Sequence, residues 1–138
     1  MRAMAIDYGT KAIGIAISDE LRLTVRPLTT IRRRRQSRNQ IITQIKALLE
    51  EYEAAELIVG LPLRLDGTIG DAAERVNRFI VELQKALAVP IIAQDERLTS
   101  HEAEAMMREL GFDQRQRKEK SDEYAAAIIL REYLESHR

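Results

Sequence analysis

Residues 4–18 read MAIDYGTKAIGIAIS, and this stretch decides the fold. Met4 to Asp7 is a short apolar run that ends on an acid. Ala12 to Ser18 (AIGIAIS) is a second apolar run with strand character. Tyr8-Gly9-Thr10-Lys11 between them is a turn of hairpin length, with Gly9 free to take positive φ. Asp19-Glu20 turns the chain again. Leu23 to Ile31 reads as a third strand, which Pro27 places at a sheet edge or a bulge because proline cannot donate to a ladder.

Beyond the third strand the period changes. Ile41, Ile42, Ile45, Leu48, Leu49 and Tyr52 recur at helical spacing within Arg38 to Tyr52. Leu57 to Gly60 (LIVG) is wholly apolar, as a strand covered on both faces is. After a loop from Leu61 to Ile69, Ala72, Ala73, Val76, Phe79, Ile80, Leu83 and Leu87 mark a second amphipathic helix. Pro90 to Ala93 (PIIA) reads as a fifth strand. Thr99 with Glu102 predicts a capping box opening a third helix, which Gly111 ends. Residues 112–120 read as a polar, charged connection, and Ser121 to Glu135 as the last helix. The order β-β-β-α-β-α-β-α-α predicts an α/β fold. Its five-stranded mixed sheet has three antiparallel strands, then two parallel ones, flanked by helices. The C-terminal ends of strands one, four and five then share one rim, where sites of open α/β sheets lie.

The chain has 138 residues, 45% hydrophobic and 32% charged, which predicts a single domain over 1–138 with its own core. Without cysteine it has no disulfide scaffold, thiol nucleophile or cysteine zinc site. No apolar run approaches the ~20 residues of a membrane helix, and the N-terminus does not read as a signal peptide, so the expectation is a cytoplasmic protein with no membrane partner. The 22 basic and 22 acidic residues cancel, which excludes a globally basic nucleic-acid coat but not local patches. Seventeen of the basic residues are Arg, the type suited to bidentate phosphate contacts.

Three acidic positions can meet on the rim. Asp7 closes the first strand, Asp95 and Glu96 follow the fifth, and Asp122 shares the apolar stripe of Ala125, Ala126 and Ile129, facing the sheet from the first turn of the last helix. Taken singly, each has a commoner structural role: an Asx turn, a helix-start acid, a partner for Arg97. Converging carboxylates repel unless a cation lies between them. Mg²⁺ or Mn²⁺ fits such hard oxygen ligands and supports a two-ion in-line displacement at a phosphodiester. There are two basic clusters: Arg32 to Arg35 with Arg38, between the third strand and the first helix, and Arg115, Arg117, Lys118 and Lys120 just before Asp122, which should flank the rim. Solvated loops are the ordinary reading of such runs, and contact with a phosphate backbone is the functional one. His101 and His137 stand alone, with no serine triad to serve.

The stretches AIDYGTKAIGIAISD, RPLTTI, IVGLPLRLDGT, DERLTS and SDEYAAAIILREYL resemble, in this order, the YqgF/RuvX family. These are small bacterial proteins described as pre-16S rRNA nucleases and as Holliday-junction-resolvase-like proteins. The resemblance covers about residues 2–135 and implies a ribonuclease H-like fold. It implies an acidic metal site on Asp7, Glu96 and Asp122, and substrate contacts at Gly9, Lys11, Arg97 and the basic run before Asp122. Resolvase-like relatives carry an acid at the end of strand four, where this chain has Gly60-Leu61-Pro62, so the second acid falls to Glu96. Ala12 stands where the family has a basic residue, and Ser121 where it has valine.

The expected function is a metal-dependent nuclease maturing the 5′ end of pre-16S rRNA during ribosome biogenesis, with the ribosomal small subunit as a partner and the chain a monomer or homodimer. The alternatives are a resolvase acting on four-way DNA, for which a symmetric dimer is needed, and a non-catalytic RNA-binding assembly factor. The DYGT turn is also similar to the phosphate loop of sugar kinases and actin-like ATPases, which need a second lobe.

Overall fold

The computed structural model describes residues 1–97 and 99–138. Its elements are β1 (Arg2–Tyr8), β2 (Ala12–Ser18), β3 (Val25–Arg32), α1 (Arg38–Glu51), β4 (Ala54–Leu61), α2 (Asp71–Ala86), β5 (Ile91–Asp95), α3 (Thr99–Glu109) and α4 (Gln114–Ser136). The sheet runs β3-β2-β1-β4-β5. β1, β2 and β3 pair antiparallel, and β4 lies parallel to both β1 and β5. This is the expected mixed sheet. Pro27 sits both on an edge strand and at a bulge: Ile15 pairs with Thr29 and Ala16 with Pro27, so Leu28 has no partner on β2.

Alternation along β1 and β2 sorts the residues by size. Met4, Ile6, Ile13, Ile15 and Ile17 pack with α1 and α2 in one core, which contains Ile45, Phe79 and Leu83. Ala3, Ala5 and Ala16 point the other way, against Ala126, Ile129, Leu130 and Tyr133 of α4. Large side chains on one face fill the space under two helices. Small ones on the other let a single long helix lie close to the backbone. Contact is tightest at Gly14, where a Cβ would lie 1.9 Å from the carbonyl oxygen of Asp122. Among the described residues, no helix is long and apolar enough to cross a membrane.

Three local expectations are corrected. The last helix begins at Gln114, not Ser121. Asp113 caps it by accepting from the Gln116 N–H at 2.8 Å, and the Gln116 side chain accepts in return from the Asp113 N–H at 2.9 Å. A capping box beneath the charged run makes it two helical turns rather than a connection, and Asp122 therefore lies in the third turn, not the first. Thr99 forms no capping box: its buried hydroxyl has no hydrogen-bond partner among the described residues. Gly9 is not at positive φ; that conformation occurs at Gly67 and Gly111. Gly111 ends α3 as expected, with its N–H donating to Arg108 and that of Phe112 to Met107.

Candidate functional site

The face that places Ala3 and Ala5 against α4 carries Asp7 next in the alternation. Gly14 lets the α4 backbone press onto β2, which brings Asp122 to the same end of the sheet. Gly9 completes this approach: a Cβ there would lie 2.6 Å from the Ala12 carbonyl oxygen and 3.7 Å from Asp122 Oδ1. Absence of a side chain, not a left-handed backbone, is what this position requires.

Glu96 arrives from the other side. Its N–H donates to Leu61 O at 3.1 Å, carrying the parallel pairing one residue past β5. Its carboxylate then occupies the space above Gly60, where a Cβ would lie 2.9 Å from Glu96 Oε2. The end of β4 holds no acid because Glu96 fills that volume from the neighbouring strand.

The carboxyls perturb one another. Burial and then the Asp122 charge raise Asp7 to about 6, partly offset by a hydrogen bond from Glu96. Burial, the Asp7 charge, the shared hydrogen bond and Asp95 raise Glu96 to about 9. Glu96 therefore keeps its proton at neutral pH and donates it to Asp7. Asp122 is also raised, first by burial and further by Glu123, against the lowering effect of the Arg32 guanidinium. Among the described residues, no three acidic or imidazole groups are gathered into a ready-made cage. The carboxyls form two pairs with Asp7 in common. In donor chemistry the set suits a hard divalent ion, since all the atoms it offers are carboxyl oxygens.

Asp95 is not part of this group. Burial works to raise it, but Arg97 wins and holds it below the usual range, through the Arg97 N–H at 2.9 Å and the guanidinium at 2.8 Å. Arg97 also donates to Leu65 O at 3.1 Å, tying the loop after β4 to the turn after β5. Lys11 is exposed at the hairpin tip. The Gly9 N–H is taken by Ala12 O at 3.0 Å and Asp7 O at 3.2 Å.

The basic run before Asp122 divides by role. Arg117 is mostly covered and joins α4 to α3, bonding Glu104 at 3.0 Å and Phe112 O at 2.6 Å. Arg115 pairs with Glu119 at 3.2 Å and Lys120 with Glu123 at 3.9 Å, both on the helix surface. Lys118 is exposed, with no carboxylate within 4.0 Å among the described residues.

Sequence reading missed two contributors. Gly14 and Gly60 are close-approach glycines, visible only once their neighbours are in place. Arg32 and Arg33, read from the sequence only as part of a run between the third strand and the first helix, also belong beside the site. Arg33 donates to Gly9 O at 2.6 Å and Tyr8 Oη at 2.8 Å, with its guanidinium 4.4 Å from the Tyr8 ring centroid. A basic residue aligned with the tip of a predicted hairpin was the available signal.

Comparison with known proteins agrees with this geometry. The RuvX family model, described as "Holliday junction resolvase", matches residues 1–136. A protein of Roseiflexus sp. (strain RS-1) named "Putative pre-16S rRNA nuclease" is 43% identical over 99% of this chain and 96% of its own length. One of the same name from Thermoanaerobacter pseudethanolicus is 42% identical over 100% of this chain and 99% of that protein. Among solved structures, T. thermophilus RuvC in complex with a Holliday junction substrate superposes with a TM-score of 0.62 at 18% identity, covering 99% of this chain and 95% of that one. The fowlpox virus Holliday junction resolvase gives 0.61 at 15%, covering 99% of each chain. The structural likeness establishes the ribonuclease H-like, RuvC-type fold, and the match along nearly every residue establishes more: this chain belongs to the RuvX family of nucleases.

Proposed function

We propose that the chain is a divalent-metal-dependent nuclease that cleaves RNA, with the precursor of 16S rRNA as its substrate during ribosome biogenesis in the cytoplasm. What supports this reading is that Asp7 interacts with two carboxyls from distant segments, Glu96 and Asp122, at the rim where β1, β4 and β5 end. The names of the full-length relatives supply the substrate. When bound, Mg²⁺ or Mn²⁺ supplies Lewis acidity and a more acidic water. Asp7, common to both carboxyl pairs, Glu96 in its deprotonated form and Asp122 from α4 would hold the ion. The Gly9 N–H is spent on the turn, so charge developing on the phosphate must be met by side chains. Lys11, Arg97 and Lys118 are the nearby exposed cations for that role, and Arg117 holds α4 in place.

The test is cleavage of a pre-16S fragment with Mg²⁺ or Mn²⁺. Asp7→Asn removes one ligand charge at nearly constant shape and is expected to abolish turnover while the protein stays folded. Turnover like that of the unmodified protein would refute the assignment. The family description favours a second reading, resolution of four-way DNA. Symmetric nicks in a junction, made by a dimer, would support it over the RNA reading.

A further inference from the structure

Beside the carboxylates, on the α1/α2 side of the sheet, lies a cleft of about 800 Å³ lined by Tyr8, Lys11, Arg33, Arg34, Arg38 and Phe79 among others. Lys11, Arg33, Arg34 and Arg38 converge on this one recess, and none of them has a carboxylate within 4.0 Å among the described residues. Arg33 is locked in place by Gly9 O and Tyr8 Oη, so part of this positive lining is pre-formed. Tyr8 stacks on Phe79 at 4.0 Å and is covered by Arg33 on its other side. Its ring is therefore closed to a base, and the cleft offers charge rather than a stacking platform. Tyr8 directly follows Asp7 and faces the opposite side of the sheet, so the cleft begins one residue from the carboxylates.

We propose that this cleft holds the phosphodiester backbone of a single strand running away from the scissile bond, so that the preferred substrate is a duplex carrying a single-stranded arm. This rests on the nuclease reading and extends it to substrate shape. A recess of this volume, lined by four cationic side chains, has room for a nucleotide or two of one strand. Arg34 and Arg38 are exposed and bind nothing else by charge, so replacing them leaves the fold intact.

The test is fluorescence anisotropy in EDTA, which prevents turnover, with a blunt RNA duplex and the same duplex carrying a ten-nucleotide overhang at either end. The unmodified protein is expected to bind one overhang form at least tenfold more tightly than the blunt duplex. Arg34→Gln/Arg38→Gln should abolish that preference and leave blunt binding unchanged, while Lys46→Gln, at the far end of α1, should alter neither. Loss of two single-strand phosphate contacts should lower the slope of log affinity against log salt by about 1.4. Equal binding of blunt and overhang forms, or an overhang preference that survives the double substitution, overturns the proposal. So does displacement of the overhang by micromolar AMP, which would mark a free-nucleotide site. The outcomes separate from the catalytic reading: binding preference without cleavage in any metal removes the enzyme and keeps the cleft, and cleavage without preference does the reverse.

Discussion

Glu96 is the residue whose environment departs most from its chemistry in water. Its carboxyl titrates near 4.5 when unfolded and about 9 in the fold, and Asp7 moves from 3.8 to about 6. In both cases the folded state binds the proton more tightly. Their contribution to stability is therefore complete at low pH. It declines as pH rises from 3.8 to about 6 for Asp7 and from 4.5 to about 9 for Glu96. Glu96→Gln keeps a donor toward Asp7 without a titrating proton. The metal-free variant is expected to melt several degrees above the unmodified protein at pH 9 and to match it at pH 4, as thermal melts in EDTA would show. Metal reverses the preference, because a ligating carboxylate must be deprotonated. Mn²⁺ affinity should rise between pH 6 and 9, with proton release visible as a dependence of calorimetric enthalpy on buffer.

At the scale of elements, the contact between α4 and β2 sets the distance between Asp122 and Asp7. Alanine at Gly14 would drive a methyl group into the peptide unit joining Asp122 to Glu123, with the Asp122 carbonyl oxygen 1.9 Å away and the Glu123 nitrogen 2.6 Å away. Neither can turn aside as a side chain could, so the helix must move. Gly14→Ala is expected to cost about 1–3 kcal/mol in denaturant unfolding. Cleavage should fall far more than that loss explains, because Asp122 retreats with the helix. Gly60→Ala makes the complementary test: its methyl would meet the movable ends of Ile129 and Glu96, so stability should fall less while the Glu96 carboxyl is displaced. An activity loss at Gly60 as small as the stability loss would show that the position of Glu96 is not critical.

Across the whole molecule, an ion bound as proposed by Asp7, Glu96 and Asp122 would join segments more than a hundred residues apart, so its binding energy would be folding energy. Saturation at a hundred times the dissociation constant stabilises by about 2.7 kcal/mol, a rise of several degrees in Tm. Mn²⁺ is expected to produce that rise in the unmodified protein and little in Asp7→Asn, by differential scanning calorimetry. Strand order, edge placement of Pro27 and the rim carrying Asp7 and Glu96 were legible along the chain, because alternation, helical period and turn chemistry are local and sidedness follows from crossover handedness. The same locality explains the errors. A capping box at Asp113 and Gln116 was hidden within a charged run that resembles a loop, and Gly9 looked like a turn glycine when its task is to leave room for Asp122. Folding alone settled why Gly14 and Gly60 lack side chains and which arginines stay unpaired. Each of these depends on atoms brought within a few ångströms by packing between segments far apart in the chain, a relation no residue's immediate neighbours record.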